Sequence, residues 1–281
     1  MITTEHLNEL SIDQLIDAIK GMSYTQFVGF INQWNVPPGS LNTINQWSVF
    51  GHVTNNSRVL EIACTTGLSS REIARITNCS AVGIDICPAS IEAAKKNAIV
   101  YGPGLDLEYI CQDACTYERE EKFTHVIIGA CLGFFSNPQV ILNRLPSFFQ
   151  HEGYILASPY YSAGDMPKSI IDDCKRVIGI TPTTIEYDAM RDIYSDFEVM
   201  YENRCCIKLE TEKQIKKYVV DCVENACKLR NIKNELVKNT IYNRLYEIKY
   251  VSNELHRYQA YSVMVLRYLE SVYPYKLIEL F

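Results

Sequence analysis

From residue 58 onward, short β-rich runs alternate with segments of helical periodicity, and this alternation confines the chain to βαβ units built on a parallel sheet. The expected strands are Arg58 to Ala63, Ala81 to Asp85, Leu107 to Cys111, His125 to Ala130, Tyr154 to Ser158, Phe197 to Leu209 and Tyr258 to Leu269. Between them the spacing predicts helices at Ser69 to Thr77, Pro88 to Val100, Pro138 to Phe149 and Lys168 to Ile178. The fold class is α/β, a doubly wound, mostly parallel sheet of seven strands.

Helical segments sit before this sheet and inside it. Ser11 and Gln14 make a capping-box pair ahead of Ile12, Leu15, Ile16 and Ile19, and Gly21 ends that helix. Tyr24, Phe27, Val28 and Ile31 repeat the helical spacing; after a break at NVPPGS, Ser40 can cap a third helix bearing Leu41, Ile44 and Trp47. A longer helical stretch at 211–253 interrupts the strand alternation near the C-terminus. The chain therefore divides into an N-terminal helical lid (1–54), a core (55–210 and 254–281) and a helical insertion (211–253).

A formal net charge of −6 and a 47% hydrophobic content suit one decorated globular domain and argue against nucleic acid as partner. The insertion departs from this balance, with nine Lys and Arg against five Asp and Glu. A solvated helical face is the ordinary explanation, and a docking surface for an acidic partner is its rival. No window approaches the roughly 18 to 20 apolar residues that a membrane helix requires, and the opening MITTEHLNELSIDQ has neither a basic flank nor an apolar run. A cytoplasmic protein without membrane contact is expected. Eleven cysteines, odd in number and often within apolar runs, form no C-x-x-C pair, so they read as packing thiols in a reducing compartment with no metal.

Chemistry concentrates where the strands should end. VLEIACTTGLSSREIA, Val59 to Ala74, joins a buried strand to a helix through a loop with the single glycine Gly67. A pyrophosphate needs close backbone approach and hence several glycines, but Ala63 and Thr65 stand where two of them would be. A ligand that keeps the nucleoside and lacks the phosphates relaxes this requirement. Asp85 closes the next strand, placed to accept from both hydroxyls of a ribose, and Asp113 lies just beyond the third, placed to accept from an exocyclic adenine amine. Each also has a local reading, Asp85 as a helix cap and Asp113 as a turn residue. The fourth segment, THVIIGACLGFF, passes from an apolar strand to small and then aromatic residues, suited to one wall of a flat pocket.

In this order and spacing the four segments resemble the class I S-adenosylmethionine-dependent methyltransferases, whose first motif has the form V-L-D/E-I-G-C-G-T-G. The resemblance covers about residues 55 to 160, and GYILASPYY fits the family's fifth strand. It implies a Rossmann-like fold with S-adenosylmethionine as cofactor. Glu61 and the backbone of Ala63, Thr65 and Gly67 would hold the methionine moiety, Asp85 the ribose, Asp113 with Ala114 the adenine, and Gly129 with Ala130 the sulfonium side; Ser69 and Ile86 complete the cofactor set. Ala63 and Thr65 depart from the family's glycines, and a methyl at position 63 would crowd the cofactor.

For the acceptor, the D/N-P-P-Y/F tetrad of nucleobase-amine and amide methylators is replaced by GACLGFF. The expected substrate is a small metabolite or short peptide natural product with a nitrogen or oxygen acceptor. Tyr24, Phe27 and Trp34 in the lid, with Phe134 and Tyr161, are the candidate substrate contacts; Tyr160 is the candidate polar contact or proton acceptor, and His125 reads as structural. Two rivals remain open: an RNA methyltransferase using the basic 211–253 segment, and a binding module without turnover.

Overall fold

A computed structural model describes residues 10–271, so the first nine residues of the expected lid and the last ten of the expected core lie outside the described residues. Five strands run parallel in the order β3-β2-β1-β4-β5: β1 (Arg58–Ile62), β2 (Ser80–Asp85), β3 (Leu107–Cys111), β4 (His125–Gly129) and β5 (Glu152–Ala157). Both faces of this sheet are covered, which is why β1 and β4 read as near-continuous apolar runs. The order reverses between β1 and β4, and a ligand crevice belongs outside the C-terminal ends of those strands.

The long strand β8 (Gln259–Leu269) closes the sheet, antiparallel to β5 on one side and to β7 (Glu198–Cys206) on the other. Among the described residues the sheet has eight strands rather than seven, because β6 (Tyr160–Ser162) continues the line of β5 along the same β8. A three-residue strand behind Pro159 carries too little periodicity to stand out in sequence. The expected helix at 138–149 is also shorter: α6 (Pro138–Arg144) gives way to a 3-10 turn (Leu145–Phe148), since Pro146 has no N–H to continue the ladder.

The remaining helices are α1 (Ile12–Gly21), α2 (Tyr24–Ile31), α3 (Leu41–Phe50), α4 (Leu68–Thr77), α5 (Pro88–Tyr101), α7 (Lys168–Val177), α8 (Tyr187–Asp192), α9 (Glu212–Leu229) and α10 (Glu235–Leu255). Capping boxes at Ser11–Gln14, Ser23–Gln26 and Thr211–Gln214 start α1, α2 and α9. α3 belongs to the sheet, where Trp47 is fully buried and its indole donates to Ala157 O at 3.1 Å.

α1 and α2 pack instead with the insertion. Ile19, Phe27, Phe30 and Ile31 share one apolar core with Ile215, Val219, Val223, Ile241 and Leu245. Two arginines lock this cap. Arg230 donates to Phe30 O with its guanidinium 4.5 Å from the Phe30 ring centroid, and Arg244 donates to Ile19 O and Met22 O while lying 4.5 Å over Phe27. Arg244 thus satisfies carbonyls at the end of α1 that the helix itself leaves without partners. Arg244→Met keeps the aliphatic stem and removes these bonds, so it is expected to lower stability by about 2–3 kcal/mol in urea melts.

Candidate functional site

Everything that shapes the crevice starts from the loop after β1. Ala63, Thr65 and Gly67 all have positive φ, at 54°, 49° and 74°. The left-handed turns that alternate glycines would supply are therefore kept, with Ala63 and the β-branched Thr65 held in strained backbone. What over-determines the strain is a set of fixed partners. Thr65 N–H donates to Asp85 Oδ2 at 2.9 Å, Cys64 N–H to Ile84 O at 3.0 Å, and Thr66 Oγ1 to Gln33 O at 2.8 Å. At Gly67 a side chain would meet the Tyr109 ring at 2.5 Å, and the Tyr109 hydroxyl donates to Gly67 O at 2.9 Å.

Two carboxylates sit beneath and beside this loop. Glu61 is buried, and its Oε2 accepts from Ser70 N–H at 2.9 Å in the first turn of α4, with the Ser69 side chain also bonded to it. Burial raises its pKa, and the two serines and Arg71 oppose that shift. Asp85 uses both oxygens, Oδ2 for Thr65 N–H and Oδ1 for Cys87 N–H at 2.8 Å. Its pKa is also raised by burial, against those two bonds. Each oxygen keeps a lone pair, so the carboxylate can accept from a ligand as well.

Ile86, directly after Asp85, leaves 69% of its surface exposed and offers an apolar wall at the crevice. Asp113 makes a local turn, Oδ1 accepting from Cys115 N–H at 2.8 Å, and Ala114 is buried beside it. Gly129 closes β4 at φ 42° with no atom within 4 Å of where a side chain would stand, which leaves open space beside half-buried Ala130. The thiols near this crevice are neutral packing groups: burial raises Cys64 and pushes Cys131 up to about 12. Among the described residues no cluster of metal-ligating side chains occurs.

The expected acceptor residues separate. Tyr24 stacks on Phe134, ring centroids 6.0 Å apart, a few residues past the end of β4, and Tyr160, just past β5, lies near enough to Tyr24 to feel it. Phe27 does not join them: it is fully buried in the cap core under Arg244. Trp34 packs edge-on against Tyr101, centroids 4.8 Å apart, and over Arg71, at the far end of the 14-residue α5 from Asp85. Tyr161 points to the opposite face of the sheet, into the core beside Tyr187, because neighbours along a strand alternate faces. His125 is structural, its Nε2 2.7 Å from Gly51 O. Sequence reasoning missed His256, whose ring stacks on Tyr160 with centroids 6.1 Å apart.

Residues 59–153 match a family model described as a methyltransferase domain. Among solved structures, the MccD protein is similar with a TM-score of 0.68 and 26% identity, covering 83% of this chain and 99% of that one. An S-adenosylmethionine-dependent methyltransferase of Thiobacillus denitrificans, crystallised with S-adenosyl-L-homocysteine, is similar with a TM-score of 0.62 and 15% identity over 85% of this chain and 96% of that chain. An uncharacterised protein of Haemophilus influenzae is 17% identical over 173 residues, which make up 60% of this chain and 69% of that protein. Fold and matched segment together define the class I methyltransferase fold. Residues 59–153 are thus matched as a methyltransferase domain, and the fold around them is the one that S-adenosylmethionine-dependent methyltransferases share.

Proposed function

We propose that this methyltransferase modifies a small metabolite or short peptide whose nitrogen or oxygen acceptor enters between the helical cap and the ends of β4 and β5. The observation that carries the reading is the row of strand ends: left-handed turns at 63, 65 and 67, the Asp85 carboxylate, exposed Ile86 and the open space over Gly129.

In this reading the loop from Ala63 to Gly67, ordered by Glu61 through Ser69 and Ser70, holds the methionine end of the cofactor. Asp85 accepts from the ribose hydroxyls, Ile86 flanks the adenine, and Asp113 with Ala114 faces its amine. S-adenosylmethionine, bound there, supplies the electrophilic methyl group. Gly129 and Ala130 leave room beside the sulfonium, and Tyr24 with Phe134 excludes water and orients the acceptor along the line of displacement.

The pairing of the insertion's charges weighs against an RNA substrate. Lys216, Lys217, Lys238 and Lys249 pair with Glu212, Asp221, Glu235 and Glu210, while Arg230 and Arg244 are turned inward to α1 and α2. Calorimetry with S-adenosylmethionine and S-adenosylhomocysteine tests the cofactor site directly. Saturable, mutually competitive binding is expected, with no steep loss between low and moderate salt; absence of heat from both ligands would end the assignment.

A further inference from the structure

On the acceptor side one titratable group has no task in the reading above. His256 lies in the 3-10 turn His256–Tyr258 that links α10 to β8. Its imidazole is half-buried and stacked at 26° on the Tyr160 ring, and no hydrogen-bond partner of either ring nitrogen occurs among the described residues. Its frame is rigid. Asn253 in the last turn of α10 holds the chain at Glu210 through both its amide atoms, at 2.8 and 3.1 Å. Ala163 N–H donates to Tyr258 O at 2.9 Å, and Tyr160 pairs with Tyr261 in the β6–β8 ladder.

This frame is tied to the end of β4. Ser158, two residues before Tyr160, donates its N–H to Gly129 O at 2.9 Å, which ties the start of β6 to the end of β4. Tyr24 stands close enough to Tyr160 to perturb its phenol, and Tyr24 stacks on Phe134 beside Cys131. Phe134, Tyr24, Tyr160 and His256 thus form a continuous row from the turn after β4 to the turn before β8, in which His256 supplies the unpartnered imidazole.

We infer that His256 is a catalytic residue whose imidazole nitrogen accepts the proton of a hydroxyl on the methyl acceptor, so that the substrate class is an alcohol or phenol. The inference rests on the cofactor site proposed above. In the step, a hydroxyl lone pair forms the O–CH₃ bond as the S–CH₃ bond breaks with its electron pair passing to sulfur, and the hydroxyl proton moves to His256.

The electrostatics agree with this class. Burial, with Lys249 from α10 nearby, takes the His256 pKa down to about 4, and Glu210 before α9 only partly opposes this. Tyr160 faces it from β6, with a phenol that burial keeps protonated, so Tyr160 can donate a hydrogen bond and does not serve as the base. An imidazole with so little proton affinity stays neutral at physiological pH. It cannot deprotonate an alkylammonium, but a hydroxyl becoming an oxonium is a far stronger acid and gives up its proton readily.

The test uses calorimetry with analogues of S-adenosylhomocysteine in which nitrogen replaces sulfur and carries an ethyl, 2-hydroxyethyl or 2-aminoethyl arm. On the native protein the hydroxyethyl arm is expected to bind about 5- to 10-fold tighter than the ethyl arm, the worth of one added hydrogen bond. His256→Phe keeps the stacking on Tyr160 and should erase that preference, whereas His256→Gln, which keeps an acceptor, should retain part of it. Equal affinity for the two arms on the native protein, a preference that survives His256→Phe, or tightest binding of the aminoethyl arm would each overturn the inference. If S-adenosylhomocysteine itself does not bind the native protein, it is the cofactor site that fails.

Discussion

Asp85→Ala is expected to abolish measurable cofactor binding and to lower stability by about 2–4 kcal/mol, because two backbone N–H groups lose a charged acceptor in a buried place. The two losses share one cause. Thr65 occupies a left-handed conformation that a β-branched residue resists, and Asp85 Oδ2 is the side-chain acceptor that holds its N–H. Once the carboxylate is removed, the loop relaxes and the methionine and ribose contacts are lost together.

Asp85→Asn is the sharper control. An amide offers one oxygen where the carboxylate offered two, so its NH₂ must face either Thr65 N–H or Cys87 N–H, donor against donor. The isosteric variant should therefore bind no better than the alanine variant, as read by calorimetry and urea melts. Native-like affinity for the asparagine protein would remove Asp85 from the cofactor site.

Acidification probes the same group. Burial raises the Asp85 pKa above its ordinary 3.8, so the folded state takes up this proton before the unfolded chain does. Across that window the cost of holding a buried charge is relieved, and this group's effect on stability becomes more favourable as pH falls through the folded pKa. The ribose recognition proposed for Asp85 moves the other way, since a protonated carboxyl has less capacity to accept. Affinity should decline at a higher pH than an exposed aspartate would dictate, while this group's contribution to stability is still rising.

Strands β1, β2, β4 and β5 were legible because nearly all of their residues lie in a core, so a buried apolar run between turn signals marks them; edge strand β3, with only Tyr109 buried, was marked by its β-forming residues between turn signals. That Asp85 and the small residues Ala63 and Gly129 fall at strand ends was legible for a related reason, since the strand boundaries alone place them there. The acceptor side was only half legible. Periodicity gives the apolar stripe of α2 but not its cover, and Phe27 turned inward because the insertion supplied Ile241, Leu245 and Arg244 to meet it. Tyr160 and Tyr161 are adjacent and chemically identical, and only their pairing with β8 decides which of them turns into the core beside Tyr187. His256 gave no local signal at all, since its contact with Tyr160 is made by the return of β8 from a distant part of the chain. Ala63 and Thr65 carried the opposite lesson: residue types that disfavour left-handed turns adopt them when enough partners insist.

Gly29→Ala should be nearly as damaging as loss of Asp85, although the glycine lies in the middle of α2 with an ordinary helical backbone, where alanine is the better helix former. The reason is the neighbour. A Cβ at position 29 would stand 2.6 Å from Ser90 N and 2.7 Å from the Ala89 carbonyl carbon, both backbone atoms in the first turn of α5. Backbone cannot swing aside as a side chain can, so α2 must lift away or the start of α5 must shift. Overpacking of this kind costs about 1–3 kcal/mol, and the upper end applies where the contact is with main chain. Ser90 Oγ also donates to Thr25 O at 3.3 Å, and Asn32 and Asn97 exchange amide bonds at 2.8 and 2.9 Å, so α2 is fastened along the length of α5. Displacement there reaches Cys87 and Asp85 at one end and Tyr24 at the other. Gly29→Ala is therefore expected to weaken S-adenosylhomocysteine binding together with stability, and Gly29→Ser to do the same; a variant that melts like the native protein and binds with native affinity would show that the cap and the cofactor crevice are not mechanically joined.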